Sequence, residues 1–411
     1  MVEQKKLRLG VAVIQLSDLK KVDVVAGTRH VNIVPDIPFS DISIYFLDEL
    51  SNVLRKSAES KIYADLMAFS FWCRKGNINK LKREHRDGNQ RLGRGLAFHI
   101  APSNVPLNFG YSFIFGLLSG NSNIIKIPSK EFQQAEFLSK TIDDLLKRKK
   151  YKSLCDNTAF VRYDKNNDIT EYFSSICDAR VIWGGDSTIK NVRQYQTPVR
   201  CIDIAFADRY SLCIINTDIL LEQNSSELKN IIELFYNDTF IMDQNACSSP
   251  HLIVWLGKKK QKAKNQFWES LDAYVRKNYN LLSVSAVDKY NKFCQNAIDI
   301  NIPFKLIRHG NHIYRIVLDK LPENIHSYRG NCGYFFEYDA KKLSEIIHII
   351  SNKYQTLTYF GLNKLSLKDF VIDNKLNGID RIVPIGQALD ISLTWDGFDI
   401  IESLSRIVDC N

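Results

Sequence analysis

The sequence contains no Cys-x-x-Cys pair, although nine of its 411 residues are cysteine: Cys73, Cys155, Cys177, Cys201, Cys213, Cys247, Cys294, Cys332 and Cys410. Widely spaced thiols in odd number argue against a disulfide framework or a structural zinc site, and they point to the reducing cytoplasm. No metal is expected. No internal repeat and no Pro/Ser-rich linker divides the chain. A signal peptide is not expected, because Gln15, Ser17, Asp18, Lys20 and Lys21 break up the apolar stretch that follows the basic residues of the opening MVEQKKLRLGVAVIQL. The most informative absence is one of charge: between Arg94 and Lys126 there is no Asp, Glu, Lys or Arg. Pro102, Ser103, Asn104, Pro106, Asn108, Gly116, Gly120 and Asn121 interrupt that stretch, so no apolar helix of about 20 residues fits and a membrane span is excluded. It reads as buried backbone turning around something, and the site is expected there.

What is present is an ordinary globular composition, 45% hydrophobic and 25% charged, which rules out collagenous and disordered classes. Lys and Arg number 55 against 46 Asp and Glu; the formal charge of +9 favours polyanionic partners without choosing among them. The basic runs, Lys147-Arg148-Lys149-Lys150 and Lys258-Lys259-Lys260, read as solvated surface. Neither is interleaved with aromatics, so nucleic acid is not expected.

Hydrophobic periodicity predicts strands over 95–100, 123–128, 159–164, 179–185 and 211–218. Helices are predicted over 106–120, from an N-cap at Ser129 through 150, over 169–178 and near 187–195. Strand and helix alternating in this way indicate a doubly wound parallel sheet. The pattern restarts with a long helix over 225–247, a strand over 251–257 and a helix over 264–282. The expected organisation is a cofactor-binding domain over 1–218, a catalytic domain over 219–383 and a C-terminal segment, 384–411, returning to the first domain or to an interface.

Most free cysteines are small buried hydrophobes, and Cys73, Cys177, Cys201 and Cys213 fit that reading. Cys247 differs, since it lies in a small polar turn, Asp243-Gln244-Asn245-Ala246-Cys247-Ser248-Ser249-Pro250, before a strand. The turn Pro102-Ser103-Asn104-Val105-Pro106 frames an amide between a strand and a helix; it is either a structural turn or a way of holding that amide toward a cleft.

Together the stretches 93–129, 181–189, 235–255, 354–362 and 380–401 resemble the aldehyde dehydrogenase superfamily. Within it they are similar to the fatty acyl-CoA reductase family, typified by the reductase of bacterial bioluminescence operons. The resemblance implies an aldehyde dehydrogenase-like α/β fold, with a Rossmann-type cofactor domain and a second α/β catalytic domain. It implies Cys247 as the nucleophile and Asn104, with the backbone NH of Cys247, as the oxyanion donors. It implies Lys126 at the adenosine ribose of a nicotinamide cofactor and Gly184 and Gly185 in the turn beside its pyrophosphate.

Departures from the superfamily pattern refine that picture. Phe206 stands near the position of the Glu that activates water in hydrolytic members, which favours a reductase, although Asp208 lies two residues away. Ser129 and Lys130 stand where an acidic residue usually meets the adenosine 2′-hydroxyl, which favours NADPH, with NADH as the alternative. The second glycine of the pyrophosphate turn is missing, with Lys190 near its place, and Gly93-Arg94-Gly95 precedes a strand, so no G-x-G-x-x-G fingerprint exists. The expected activity is NADPH-dependent reduction of a long-chain acyl-CoA or acyl-protein thioester to the aldehyde. An acyl-protein synthetase is the accompanying partner, and a homo-oligomer is expected. Two rivals are an NAD(P)-dependent aldehyde dehydrogenase working oxidatively, and a non-reducing acyl-carrier or scaffold subunit.

Overall fold

Strand and helix alternate from Leu96 onward in the computed structural model, which describes residues 12–85, 90–103, 105–164 and 167–410. The chain forms two units: residues up to Ala207 together with those from Ser392 onward, and Asp208–Ile391. In the first unit six strands, β1 (Asp23–Gly27), β2 (Leu96–Ile100), β3 (Ser122–Lys126), β4 (Thr158–Arg162), β5 (Ala179–Trp183) and β6 (Ile202–Phe206), lie in the order β1-β4-β3-β2-β5-β6. All neighbours run parallel except β1 with β4. The unit's helices include α1 (Asp41–Lys56), α2 (Asn108–Leu118), α3 (Gln133–Leu146), α4 (Asn167–Ile176) and α5 (Asp186–Arg193). From β2 the chain winds to one side through β3 and β4, then crosses to the other through β5 and β6. The topological switch point therefore lies between the carboxyl ends of β2 and β5, where doubly wound sheets bind ligands.

The uncharged stretch is explained by α2, which buries ten of its eleven residues. A helix apolar on every side has no face for a charge. Phe109 and Phe113 pack edge-on against Phe160 of β4, and Phe113 also meets Phe46 of α1. Asn108 Oδ1 is buried without a partner, while Ser112 is paired. Ser112 bonds Nδ1 of buried His99 at 2.8 Å and accepts from Trp183 Nε1 at 3.0 Å; Nε2 of His99 meets Asn123 Oδ1 at 3.1 Å. Burial lowers the His99 pKa to about 4, so the ring is neutral.

The second unit contains β7 (Tyr210–Asn216), α6 (Ser225–Thr239), β8 (Pro250–Leu256), α7 (Lys260–Asn278), α8 (Ser283–Asp299), β9 (Phe304–His309), β10 (Ile313–Leu318), β11 (Tyr334–Asp339), β12 (Tyr354–Phe360), α9 (Lys364–Asp373) and β13 (Arg381–Pro384). The sheet order is β9-β10-β11-β8-β7-β12-β13, parallel throughout apart from the β9/β10 hairpin. Cores form on both faces: Leu212, Ile214, Leu252 and Val254 point into one, Cys213, Ile215, Ile253 and Trp255 into the other. Strands buried on both faces explain their nearly continuous apolar sequence.

Three sequence expectations need correction. The strand predicted over 211–218 belongs to the second sheet, paired with β8 and β12, so the first unit ends at Ala207 rather than at 218. The segment 384–391 likewise stays with the second unit, and the chain returns to the first only from Ser392; there Ser405–Ile407 pairs antiparallel with Arg91–Gly93. The helix predicted from Ser129 begins at Gln133, because Ser129 and Lys130 form a bend and the Ser129 hydroxyl donates to Tyr163 O at 3.4 Å instead of capping. No helix among the described residues is long and apolar enough to cross a membrane.

Candidate active site

The predicted long helix over 225–247 is also shorter than expected. α6 starts on a capping box, with Asn224 and Glu227 satisfying each other's backbone NH groups, and it ends at Thr239. Asp243 and Gln244 then take left-handed conformations, φ 50° and 59°, which non-glycine residues adopt only when their surroundings enforce it. The enforcement comes from Gln244, whose side chain makes four hydrogen bonds. Its amide nitrogen donates to Pro250 O and Tyr334 O at 3.0 and 3.1 Å, and its carbonyl accepts from Gly333 N and Tyr334 N at 3.1 and 2.9 Å. Cys332 N donates to Asp243 O at 2.9 Å, which closes the brace.

Cys247 sits three residues beyond this clamp, half-buried, in the turn that leads into β8. The buried Ser211 hydroxyl, on β7, donates to the Cys247 carbonyl at 2.6 Å and accepts from Thr356 N of β12 at 3.1 Å. Ser249 donates to Asp238 O at 2.7 Å, tying the turn back to the last turn of α6. His251, four residues after Cys247, is buried against Tyr210; burial pushes its pKa down to about 3, so it is neutral. Cys247 is thus a half-buried thiol whose backbone carbonyl is held by Ser211, itself bonded to β12.

In the first unit the cofactor candidates collect at the carboxyl edge of the sheet. Lys126 ends β3, half-buried, with its ammonium 4.2 Å from the centre of the Tyr163 ring; Ser129 bonds the carbonyl of the same Tyr163. Lys130 is exposed. Glu131, the nearest acid in sequence, lines a surface cavity of about 1010 Å³ with Ser57, Glu136 and Lys140. That cavity and another of about 910 Å³ along α1 contain none of the candidate residues. Gly184 and Gly185 follow β5 across the switch point. Gly185 caps α5, and a Cβ there would meet open space, so the helix N-terminus is approachable. Lys190 lies in the body of α5, exposed, rather than in the turn, and Asp186 occupies the first turn. Two lysines, a hydroxyl and a glycine-led helix start suit a polyanionic dinucleotide.

Phe206 ends β6, 3% exposed, and stacks on Trp183 with ring centres 3.9 Å apart. No acid occupies that position. Asp208 is engaged by Arg329 at 2.7 Å. Asn104 lies outside the described residues. Lys126, Ser129, Gly184 and Gly185 thus share one sheet edge, and Cys247 has its own frame in the second unit. Sequence reading missed Gln244, Ser211 and Asp238. Gln244 lay within the quoted turn, but nothing local distinguishes an amide that clamps a strand from one in water. Among the described residues no group of three or more His, Cys, Asp or Glu is placed to hold a metal.

A doubly wound unit with a basic carboxyl edge and a second α/β unit that carries the cysteine turn make up an aldehyde dehydrogenase-like fold. The fold is similar to that of a mutant 1-pyrroline-5-carboxylate dehydrogenase from Thermus thermophilus, with TM-score 0.63 and 11% identity over 91% of this chain and 81% of that one. It is equally similar to proline utilization A from Bdellovibrio bacteriovorus, with TM-score 0.63 and 14% identity over 90% of this chain and 43% of the other. The sequence profile of the family described as Acyl-CoA reductase (LuxC) matches residues 74–407, and the chain belongs to that family. A Photorhabdus luminescens protein named long-chain acyl-protein thioester reductase is 23% identical over 327 residues, 77% of this chain. The chain spans 63% of that relative's length.

Proposed function

We propose that this protein reduces a long-chain acyl thioester, carried on a protein or on CoA, to the aldehyde, with NADPH as reductant. Family membership and the name of the Photorhabdus relative support the reaction class. The observation that carries the direction is Phe206, which stacks on Trp183 where hydrolytic relatives are expected to hold a Glu. Without a base to activate water, a thioacyl enzyme persists long enough to be reduced.

In this reading the Cys247 thiolate attacks the thioester carbonyl, with Asn104 and the Cys247 amide holding the oxyanion. The donor thiol leaves with a proton, and an acyl group remains on Cys247. Lys126, Ser129 and Lys130 would hold the adenosine ribose and its 2′-phosphate, and Gly184 and Gly185 the pyrophosphate. NADPH, when bound, supplies hydride to the thioacyl carbon. Ser211 and Gln244 keep the sulfur in place while the resulting hemithioacetal on Cys247 breaks its C–S bond, which releases aldehyde and regenerates the thiol. The domain roles follow: cofactor binding in the first unit and acyl chemistry in the second. A cytoplasmic homo-oligomer that receives acyl groups from an acyl-protein synthetase belongs to the same reading.

The test is incubation of the protein with fatty acyl-CoA, and separately with an acyl-protein thioester, with and without NADPH. The expected result is an acyl adduct on Cys247 without NADPH, aldehyde with it, and neither in Cys247→Ser. Absence of both adduct and aldehyde across chain lengths and both donors overturns the proposal.

A further inference from the structure

Deprotonating Cys247 requires a positive potential, and the chain around it offers no helix N-terminus to supply one: it runs from the end of α6 into β8. The titratable groups on the flanking elements narrow the source. Asp238 at the end of α6 and Asp243 in the turn are acids, the latter bonded by the Tyr279 hydroxyl at 2.5 Å. His251 on β8 is neutral, and Arg329, the cation whose charge reaches it, is paired with Asp208 at 2.7 Å and donates to Arg209 O. On the other side of Ser211, Thr356 of β12 stands in register with Arg381 of β13. The same Ser211 hydroxyl that holds the Cys247 carbonyl therefore links it, through Thr356, to the strand position of an arginine.

Arg381 is fastened on two sides. Its guanidinium donates to Ala388 O and Gln387 O at 2.7 Å each and to Asp390 O at 2.5 Å, so the loop after β13 wraps around it. The same loop is gripped by Asp238, 1% exposed, whose two carboxyl oxygens accept from Gly386 N at 2.6 Å and Ala388 N at 2.9 Å. Asp238 is also the residue whose carbonyl receives Ser249 from the cysteine turn. One buried acid thus connects the segment carrying the thiol with the loop enclosing the guanidinium.

We propose that Arg381 is the cation that stabilises the Cys247 thiolate, and that Asp238 is the positioning residue that keeps the Arg381 loop against the cysteine turn. Burial lowers the Arg381 pKa, and the charges that oppose this are, in order, Asp390, Asp238 and Cys247. An arginine suits this role, because it stays protonated when half-buried and its planar fork can serve several acceptors at once. The inference rests on Cys247 being the nucleophile, and it adds what makes the sulfur reactive.

The experiment is the rate of Cys247 alkylation by iodoacetamide as a function of pH, read by mass spectrometry of the Cys247 peptide, with no acyl substrate present. Removing an opposite charge is expected to raise the midpoint in Arg381→Gln by about one pH unit or more, slowing alkylation about tenfold near neutral pH. Arg381→Lys, which keeps the charge, should restore most of the rate. An unchanged midpoint in folded Arg381→Gln overturns the proposal. If that variant does not fold, Asp390→Asn serves instead. Asp390 is exposed, and losing an anion that competes for the guanidinium should lower the midpoint; an unchanged or raised midpoint overturns the proposal. Failure of the acyl-adduct assay with a normal change in the alkylation midpoint would count against the proposed function alone.

Discussion

Gln244→Glu preserves the shape of a side chain that makes four buried hydrogen bonds while reversing half of them. The oxygen that accepts from Gly333 N and Tyr334 N keeps its partners. The second carboxylate oxygen meets Pro250 O and Tyr334 O at about the 3.0 and 3.1 Å that the amide nitrogen now spans, so two donors are replaced by mutual repulsion at a position 1% exposed. Two carbonyls left unpaired cost about 1–3 kcal/mol each, before the desolvation of an anion is added. The substituted carboxyl escapes by binding a proton and donating it to one carbonyl, so its folded-state pKa rises above the unfolded value of about 4.3. Because the folded form then binds more protons than the unfolded chain, the variant is least destabilised below that unfolded value. It loses stability as pH rises through the folded pKa. Urea unfolding of both proteins should show a loss of about 2–6 kcal/mol at about pH 8 and a clearly smaller one at about pH 5, since a tenfold difference in proton affinity is worth about 1.4 kcal/mol. Equal destabilisation at both pH values, or a loss below about 1 kcal/mol at the higher one, refutes the clamp.

Asp238→Asn tests the carboxyl that burial raises to about 7. In the wild type its folded pKa exceeds the unfolded one, so its contribution is full below about pH 4 and is lost as pH rises through 7. The variant lacks that dependence and should be less stable by about 1–3 kcal/mol near pH 5, with the gap narrowing toward pH 8 in parallel unfolding curves. Gly116→Ala would place a Cβ 1.9 Å from Asn123 Oδ1 and 2.8 Å from His99 Nε2, in the middle of α2. The gain in helix propensity of about 1 kcal/mol should be outweighed by the broken His99–Asn123 pair, lowering the thermal midpoint. Ser129→Asp sets a carboxylate where a 2′-phosphate is expected; KM for NADPH should rise about tenfold or more while KM for NADH changes little, measured by initial rates.

Much of the fold is legible in local pattern. The strands β2, β3, β4, β5 and β8 and the helix α2 follow from apolar runs and their punctuation by Pro102, Pro106 and Gly120. The charge-free stretch identifies α2 because a helix buried on all sides excludes charge whatever its neighbours are. Cys247 is legible too, as a thiol in a polar turn. β7 shows the limit, since its apolar sequence suits either sheet and only pairing with β8 and β12 assigns it. The end of α6 shows another: 240–247 continues a helix-like pattern, yet the four hydrogen bonds of Gln244 hold Asp243 and Gln244 in left-handed backbone that local preference alone disfavours.

Residue type and spacing by themselves determined where chain could be buried, where it had to turn and which thiol stood apart. Tertiary structure alone decided what braces the turn that carries that thiol, because Ser211, Asp238, Gln244 and Thr356 come from two strands, a helix end and a turn. Hydrogen bonds and charges act over a few ångströms of space, and up to 150 residues of chain separate groups that here lie one bond apart.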